Sequence, residues 1–197
     1  SPVYTTSAGS LGTILNGNRA TTTLEVVATD PESAGNVTFE IQSGSLPAGA
    51  STTTLNENGV SKFRISGFSE VGSDTTSNFV LRAVDAASNT TSRAFAITVN
   101  APVSQSFNSS GTFSVPSGLT AVDVLVIAGG AGGAPNPGTE TVGGGGAGGL
   151  IFMPNSPVTP GGSVSVTVGS GGGVGQNGQD SAFGTLTAKG GGTGGLQ

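Results

Sequence analysis

The sequence predicts an all-β protein, in which an Ig-like β-sandwich is followed by a small glycine-rich β domain. Short segments of alternating apolar and polar residues, separated by turn residues, are typical of sandwich strands. No window of 11 or more residues shows a helical period. The 36 glycines are divided very unevenly, with 9 in residues 1–101 and 27 in residues 102–197. We therefore predict two domains, 1–101 and 102–197, with the boundary at Ala101–Pro102.

Five segments of the first part have apolar side chains at every second position. They are residues 22–29, 37–41, 62–66, 79–84 and 93–99. Successive side chains of a strand point to opposite faces, so this spacing predicts one buried face for each segment. The polar run 85–89 suits a hairpin loop. We expect a sandwich of about seven strands with a core of Phe39, Ile41, Phe63, Ile65, Phe79, Leu81, Phe95 and Ile97.

Three stretches of the first part carry a family resemblance. They read VTFEIQSGSLPAGA over 37–50, ISG over 65–67 and NFVLRAVD over 78–85. Together they resemble the Ig-like domain of bacteria and phages, which is related to cadherin-like domains, over residues 10–100. This chain has Ala50 where that family has an apolar leucine, and Phe68 where it often has proline. The resemblance implies a sandwich without the cysteine pair and core tryptophan of antibody domains.

The second part alternates glycine runs with short predicted strands. Its first strand, residues 121–128, is apolar on both faces, since Val122, Val124 and Val126 alternate with Leu125 and Ile127. This pattern predicts a strand buried on both sides. Glycine runs follow at 129–133, 143–149, 169–175 and 190–195, and predicted strands lie between them at 150–153, 163–168 and 182–188.

The order of these pieces carries a second resemblance. GTFSVPSGLTAVDVLVIAGGAGG, GGGGAGGLIF, VTPGGSVSVTVGSGGG and GQDSAFGTLTAKGGG follow one another over residues 106–197. The string resembles the glycine-rich domain of phage tail fibres and adhesins. The resemblance implies polyglycine-II-like helices, or glycine loops anchored on a small sheet.

Oligomerisation is predicted from the energetics of the glycine runs. Glycine loses more backbone entropy on folding than any other residue, and its amide groups need partners. The large apolar side chains that can offset this cost are few: Phe107, Phe113, Leu125, Ile127, Ile151, Phe152, Val166, Phe183 and Leu186. We therefore expect packing against identical chains, as a trimer, or against other virion proteins. The chain ends inside a glycine run, which predicts that the domain continues beyond it.

Composition excludes several classes of function. A net charge of −5 with only six basic residues provides no basic patch for nucleic acid. No apolar run reaches the length that membrane insertion requires. The chain has no cysteine and no histidine, so it has no zinc site of the usual ligands and no Cys or His nucleophile system. We predict that the protein is not an enzyme and has no catalytic residue and no cofactor.

Two matches to G-x-G-x-x-G are candidates for nucleotide sites. They are Gly143/Gly145/Gly148 and Gly190/Gly192/Gly195. A dinucleotide fingerprint requires a helix after its glycines, and neither match precedes a predicted helix. Lys189 comes before its glycines, whereas the lysine of a phosphate-binding loop comes after them.

Three carboxylates at predicted strand ends are the candidates for a metal site. Cadherin-like domains bind calcium at such positions, so the resemblance makes Asp30, Glu32 and Asp85 calcium candidates. The linker that would supply the remaining ligands is missing. Capping of backbone N–H groups in turns is the alternative role, and we predict no metal.

These observations favour a phage virion protein exposed on the particle, a fibre or adhesin component that contributes to host attachment or to particle architecture. The expected contact surfaces are the loops at the ends of the first domain and the glycine loops of the second, and the expected ligand is a host-surface glycan or protein. A bacterial surface or extracellular adhesin is the alternative. An enzyme is a third class, for which a carboxylate pair in a pocket would be the evidence.

Overall fold

The computed structural model describes residues 1–32, 35–136, 138 and 141–195. The chain forms two compact units, residues 1–103 and 104–197. The predicted all-β fold is confirmed, since the helical structure of the described residues amounts to a single 3-10 turn at Asn16–Asn18.

The first unit has eight strands over residues 1–32 and 35–103. They are β1 (Val3–Tyr4), β2 (Gly9–Ile14), β3 (Thr23–Thr29), β4 (Thr38–Gly44), β5 (Ser51–Glu57), β6 (Val60–Ser66), β7 (Thr75–Val84) and β8 (Thr90–Val99). One sheet has the order β1-β3-β6-β5 and the other the order β2-β8-β7-β4. β2 pairs with β8 in parallel and the other neighbours are antiparallel.

A single apolar cluster fills the sandwich. Alternate residues of β6, β7 and β8 are buried, as the sequence predicts: Phe63, Ile65, Phe79, Leu81, Phe95 and Ile97. The first sheet adds Val26 and Ala28, with Tyr4 at the edge of the cluster. The hydroxyl of Tyr4 donates a 2.6 Å hydrogen bond to the carbonyl oxygen of Leu81, which gives this buried polar group a partner.

The edge strand β4 departs from the predicted core. Phe39 is only partly buried, although it packs against the cluster. The prediction that Ile41 is buried is wrong, because 39% of its surface is exposed. β4 is the last strand of its sheet, and its register with β7 shifts between Ile41 and Ser43. An irregularity of this kind bends an edge strand, so side-chain alternation no longer guarantees burial there.

Strand β5 was missed because its sequence, STTTLNE, has almost no apolar side chains to alternate. It pairs with β6 through all seven residues and lies at the edge of its sheet. Asn58 and Gly59, between the two strands, both have positive φ angles, 51° and 77°. That geometry belongs to a tight hairpin turn, and the Asn-Gly pair in the sequence was the available signal.

The described residues of the second unit form six strands in two sheets. They are β9 (Gly111–Ser114), β10 (Ala121–Ile127), β11 (Leu150–Pro157), β12 (Ser163–Thr167), β13 (Ser181–Phe183) and β14 (Leu186–Ala188). β10 and β11 pair with each other, and the remaining four have the order β14-β13-β12-β9. The single strand predicted at 182–188 is a hairpin, because Gly184, with a φ of 58°, turns the chain between β13 and β14.

The prediction that β10 is buried on both faces is wrong. Val124 and Val126 are buried in a small cluster with Ala128 and Ala188. Leu125 and Ile127, on the opposite face, are 57% and 59% exposed. Phe152 of β11, also predicted to be buried, is 60% exposed. A two-stranded sheet covered on one face leaves the other face in solvent, and a sequence apolar on both faces does not reveal which of them is covered.

Candidate functional site

The structure brings the three predicted calcium candidates together at one end of the sandwich. A carboxylate oxygen from each of Asp30, Glu32 and Asp85 lies within 4.8 Å of the others. Asp30 and Asp85 are buried and Glu32 is exposed. The amino group of Ser1 lies beside Glu32 and 3.7 Å from Oδ2 of Asp85. Three carboxylates and one amino group therefore lie close together at this end of the sandwich.

Hydrogen bonds to the turn between β7 and β8 engage both oxygens of Asp85. Oδ1 accepts from the backbone N–H groups of Ala87 and Asn89, at 2.9 and 2.8 Å, and Oδ2 accepts from the side-chain amide of Asn89 at 2.9 Å. The Asn89 side-chain bond, followed by the backbone bonds, holds the pKa of Asp85 below its usual value of 3.8 in spite of burial. Asp30 accepts from the N–H of Glu32 at 3.1 Å. These contacts are those of carboxylates that cap turns.

Calcium is expected to leave the stability of the protein unchanged. Calcium needs six to eight oxygen ligands, and both oxygens of Asp85 already accept hydrogen bonds. A ligand that binds the folded state raises its melting temperature by mass action. We therefore expect the melting temperature of the full chain in 5 mM calcium to match that in EDTA within about 1 °C. A saturable rise that the substitution Asp30→Asn removes would show a calcium site.

The glycine runs of the second unit form a compact bundle of five extended segments, here called the glycine bundle. The segments are residues 128–134, 143–149, 169–175, 176–180 and 189–195. The first segment is central, because backbone hydrogen bonds join it to each of the other four. The glycine bundle therefore lies within a single chain.

Hydrogen bonding in the glycine bundle repeats every three residues. Ala128, Ala131 and Ala134 donate to Gly149, Gly146 and Gly143 of the second segment. Gly129 and Gly132 donate to Gln179 and Gln176 of the fourth segment. The carbonyl oxygens of Gly130 and Gly133 accept from Gly172 and Gly175 of the third segment. Three residues per turn is the period of the polyproline-II helix, so the packing is that of the predicted polyglycine-II-like segments.

Close packing, rather than an unusual φ angle, requires glycine at the inward positions. A Cβ added to Gly132 would lie 1.9 Å from the carbonyl oxygen of Gly173, and one added to Gly145 would lie 2.2 Å from that of Ala131. Neither glycine has a φ in the left-handed region. The neighbouring Gly144 points outward, with no atom within 4 Å of an added Cβ. Each segment thus has positions where any side chain would collide with a neighbouring backbone, and positions where an alanine fits.

An obligatory trimer was expected on the premise that the amides of the glycine runs have no partners within the chain. This premise is wrong, because many of the described amides pair with other segments of the same chain. Gly143, Gly146 and Gly149 donate to Gly195, Gly192 and Lys189 at 3.1, 2.8 and 2.7 Å. Gly178 donates to Gly191 at 2.9 Å. The pairing of these amides therefore gives no reason to expect other copies of the chain.

Both G-x-G-x-x-G matches lie in extended segments of the glycine bundle. The N–H of Gly143 donates to the carbonyl oxygen of Gly195 in the fifth segment, and Lys189 forms an ion pair with Asp180, with 2.6 Å between Nζ and Oδ2. Asp180 also accepts from the N–H of Gly190 at 2.9 Å. These bonds, the lysine bond foremost, lower the pKa of Asp180. The acidic residue and the lysine therefore fix the start of the fifth segment.

An exposed apolar surface on β10 and β11 is the feature that sequence reasoning missed. It consists of two cross-strand pairs, Leu125 with Phe152 and Ile127 with Leu150. The four side chains are 57% to 63% exposed. We call this surface the apolar face. Most scattered apolar residues on a surface need no explanation, but a contiguous group of this kind is typical of an interaction site.

Comparison with protein families gives a match for the second unit. Residues 105–197 match the family of glycine-rich domains. This match confirms the glycine-rich part of that resemblance, without its link to phage tail fibres, and covers just under half of the chain. No curated protein matches. Among solved structures the chain is similar to one described as "Tandem Ig repeats of Dlar", with 11% sequence identity and a TM-score of 0.33, over 98% of this chain and 95% of that one.

The described part of the chain has no helix that is long and apolar enough to cross a membrane.

Proposed function

We propose that the chain is a structural protein of adhesin type, exposed on a phage virion, that holds contact surfaces away from the particle. The observation that carries the proposal is the glycine bundle, whose segments are cross-linked by hydrogen bonds repeating every three residues. Such a bundle offers a stiff support made almost entirely of backbone. The resemblance to phage tail-fibre domains supports the location, and the match of residues 105–197 to glycine-rich domains supports the class.

The chemistry of the second unit favours support and contact over catalysis. Asp123, Asp180 and Lys189 are the charged side chains of its described residues. Asp180 and Lys189 pair with each other, and Asp123 accepts a 2.8 Å hydrogen bond from the N–H of Asn155. General acid and base chemistry needs a carboxyl group with a raised pKa in a cleft, whereas the pKa of Asp180 is lowered.

One end of the glycine bundle is suited to contact a host surface. At this end Ala134 donates to Gly143, and the bond from Gly175 to Gly133 places the turn at 173–176 beside Pro135. Exposed side chains of the described residues there include Asn136, Val174 and Gln176. Amide groups next to a small apolar side chain can bind an uncharged glycan or a protein surface. Under this proposal the ligand is a host-surface glycan or protein.

A bacterial surface or extracellular adhesin is the second candidate, because the same two units would serve there equally well. Location separates the two candidates. Antibodies against the chain, coupled to gold, should label virus particles purified on a density gradient from the culture that produces the protein. Labelling restricted to the surface of intact producing cells, with bare particles, would contradict the virion location and favour the second candidate.

A further inference from the structure

We propose that the apolar face binds a second copy of the chain, face to face, and forms a weak symmetric dimer. The face has the form of one inner layer of a β-sandwich. Leu125 and Ile127 on β10 and Leu150 and Phe152 on β11 point to the same side, while Val124 and Val126 point into the core. Sheets that bury apolar faces against each other pack about 10 Å apart with nearly aligned strands.

The surroundings of the apolar face favour a like partner. Asp123 lies on the same side of β10 as Leu125, and it is tied to the N–H of Asn155 at one end of the face. Lys189, the one cation among the described residues of this unit, is paired with Asp180. Partners with charged surfaces are selected by complementary charges, which this face does not offer. A partner of the same apolar, uncharged character fits, and a second copy of the face has that character.

The arrangement of the four side chains suits a two-fold axis. An axis parallel to the strands and midway between them places Leu125 of one copy over Phe152 of the other, and Ile127 over Leu150. Each large side chain thus meets a differently shaped one, and the same contacts occur twice, as an isologous interface requires. This symmetry is that of a dimer and differs from the trimer expected from the sequence.

The area of the apolar face indicates whether two copies would form a stable or a weak dimer. With each side chain about 60% exposed, the four contribute roughly 400 Å² per copy, within the range of the largest apolar patches on monomeric proteins. Two copies would then bury roughly 800 Å² of these side chains, less than the 1,200–2,000 Å² or so of a standard stable interface. The dimer should accordingly be weak, and its formation should depend on protein concentration.

Sedimentation of the full chain between about 5 µM and 1 mM tests the proposal. We expect the wild type to shift from monomer to dimer, and we expect Leu125→Lys and Phe152→Asp each to remain monomeric at 1 mM, because each places a charge against an apolar side chain of the other copy. Both positions are more than half exposed, so both variants should melt like the wild type. Val103→Asp is the control, since Val103 is 92% exposed and lies outside the apolar face, and it should dimerise normally.

Mixing the two variants tests the geometry. In a mixed dimer the lysine introduced at position 125 lies opposite the aspartate introduced at position 152, and the second contact keeps its natural leucine and phenylalanine. The mixture should therefore dimerise at least ten times more tightly than either variant alone. A wild type that stays monomeric at 1 mM, a dimer that neither substitution weakens, or a mixture that stays monomeric would each overturn the proposed arrangement.

Discussion

Replacing Gly145 by alanine is expected to destabilise the second unit by about 3 kcal/mol, the upper part of the range for overpacked interiors. The added Cβ would lie 2.2 Å from the carbonyl oxygen of Ala131 and 2.6 Å from that of Gly132. Both belong to the central segment of the glycine bundle, whose hydrogen bonds to four other segments hold it in place. Backbone of this kind cannot move aside as the end of a side chain could.

The adjacent glycine provides the matched control. Gly144→Ala adds the same methyl group one residue earlier, where no atom lies within 4 Å. Three residues on, Ala147 already carries a methyl group at an exposed position. Because the φ of Gly144 is outside the left-handed region, alanine should stabilise this unit by roughly 0.4–1 kcal/mol through the entropy of the unfolded chain. Calorimetric unfolding of both variants measures these changes in stability. Equal changes at the two positions would refute the assignment of Gly145 as inward and Gly144 as outward.

Leu81→Ala is expected to cost the first unit about 2–5 kcal/mol, as substitutions that leave a cavity in a core do. Leu81 is fully buried, and it pairs across the sheet with Ile41. Ile41→Ala, at a position 39% exposed, should cost less than about 1.5 kcal/mol, since more than a third of the side chain stays in contact with water.

Tyrosine fluorescence during urea unfolding reports on this unit. Tyr4 is the one tyrosine of a chain without tryptophan, and its hydroxyl is bonded to the carbonyl oxygen of Leu81. A loss at Ile41 as large as that at Leu81 would mean that β4 is buried as the sequence alone predicts.

Prediction from the sequence worked best where one face of a strand is buried against a full sheet. Period-two alternation placed Ile65, Leu81 and Ile97 in the core because their strands lie inside the sandwich. It failed for Ile41, where an edge strand bends, and it missed β5, whose threonine-rich sequence has no apolar period. Burial at an edge depends on which residues cover it, and the local sequence does not record that.

The glycine-rich unit shows a different limit. The repeat AGGAGGA at residues 128–134 has a period of three, which fits the polyglycine-II-like segments that the resemblance implied. The sequence did not show that the segments pair with one another within one chain, because that depends on how the β strands return them to the same place. The exposure of Leu125 and Ile127 was missed for a related reason, since the sequence does not distinguish an apolar residue of a core from one on an exposed surface.

The three carboxylates at the end of the sandwich were predictable as a group but not in their contacts. Asp30 and Glu32 follow β3 of one sheet and Asp85 follows β7 of the other, and the packing of the two sheets brings them together. The bonds from Ala87 and Asn89 to Asp85 depend on the shape of the turn, and the distances of that turn are not readable from its sequence.

Hydrogen exchange of the backbone amides, at a concentration where sedimentation shows only monomer, tests the self-contained glycine bundle most directly. The account predicts strong protection at the amides that donate between segments. They include the N–H groups of Gly129, Gly132, Gly143, Gly146, Gly149, Gly172, Gly178 and Gly191. Rapid exchange throughout 143–149 and 169–175 in the monomer, with protection appearing only on association, would contradict the account and show that the glycine runs need a second chain to fold.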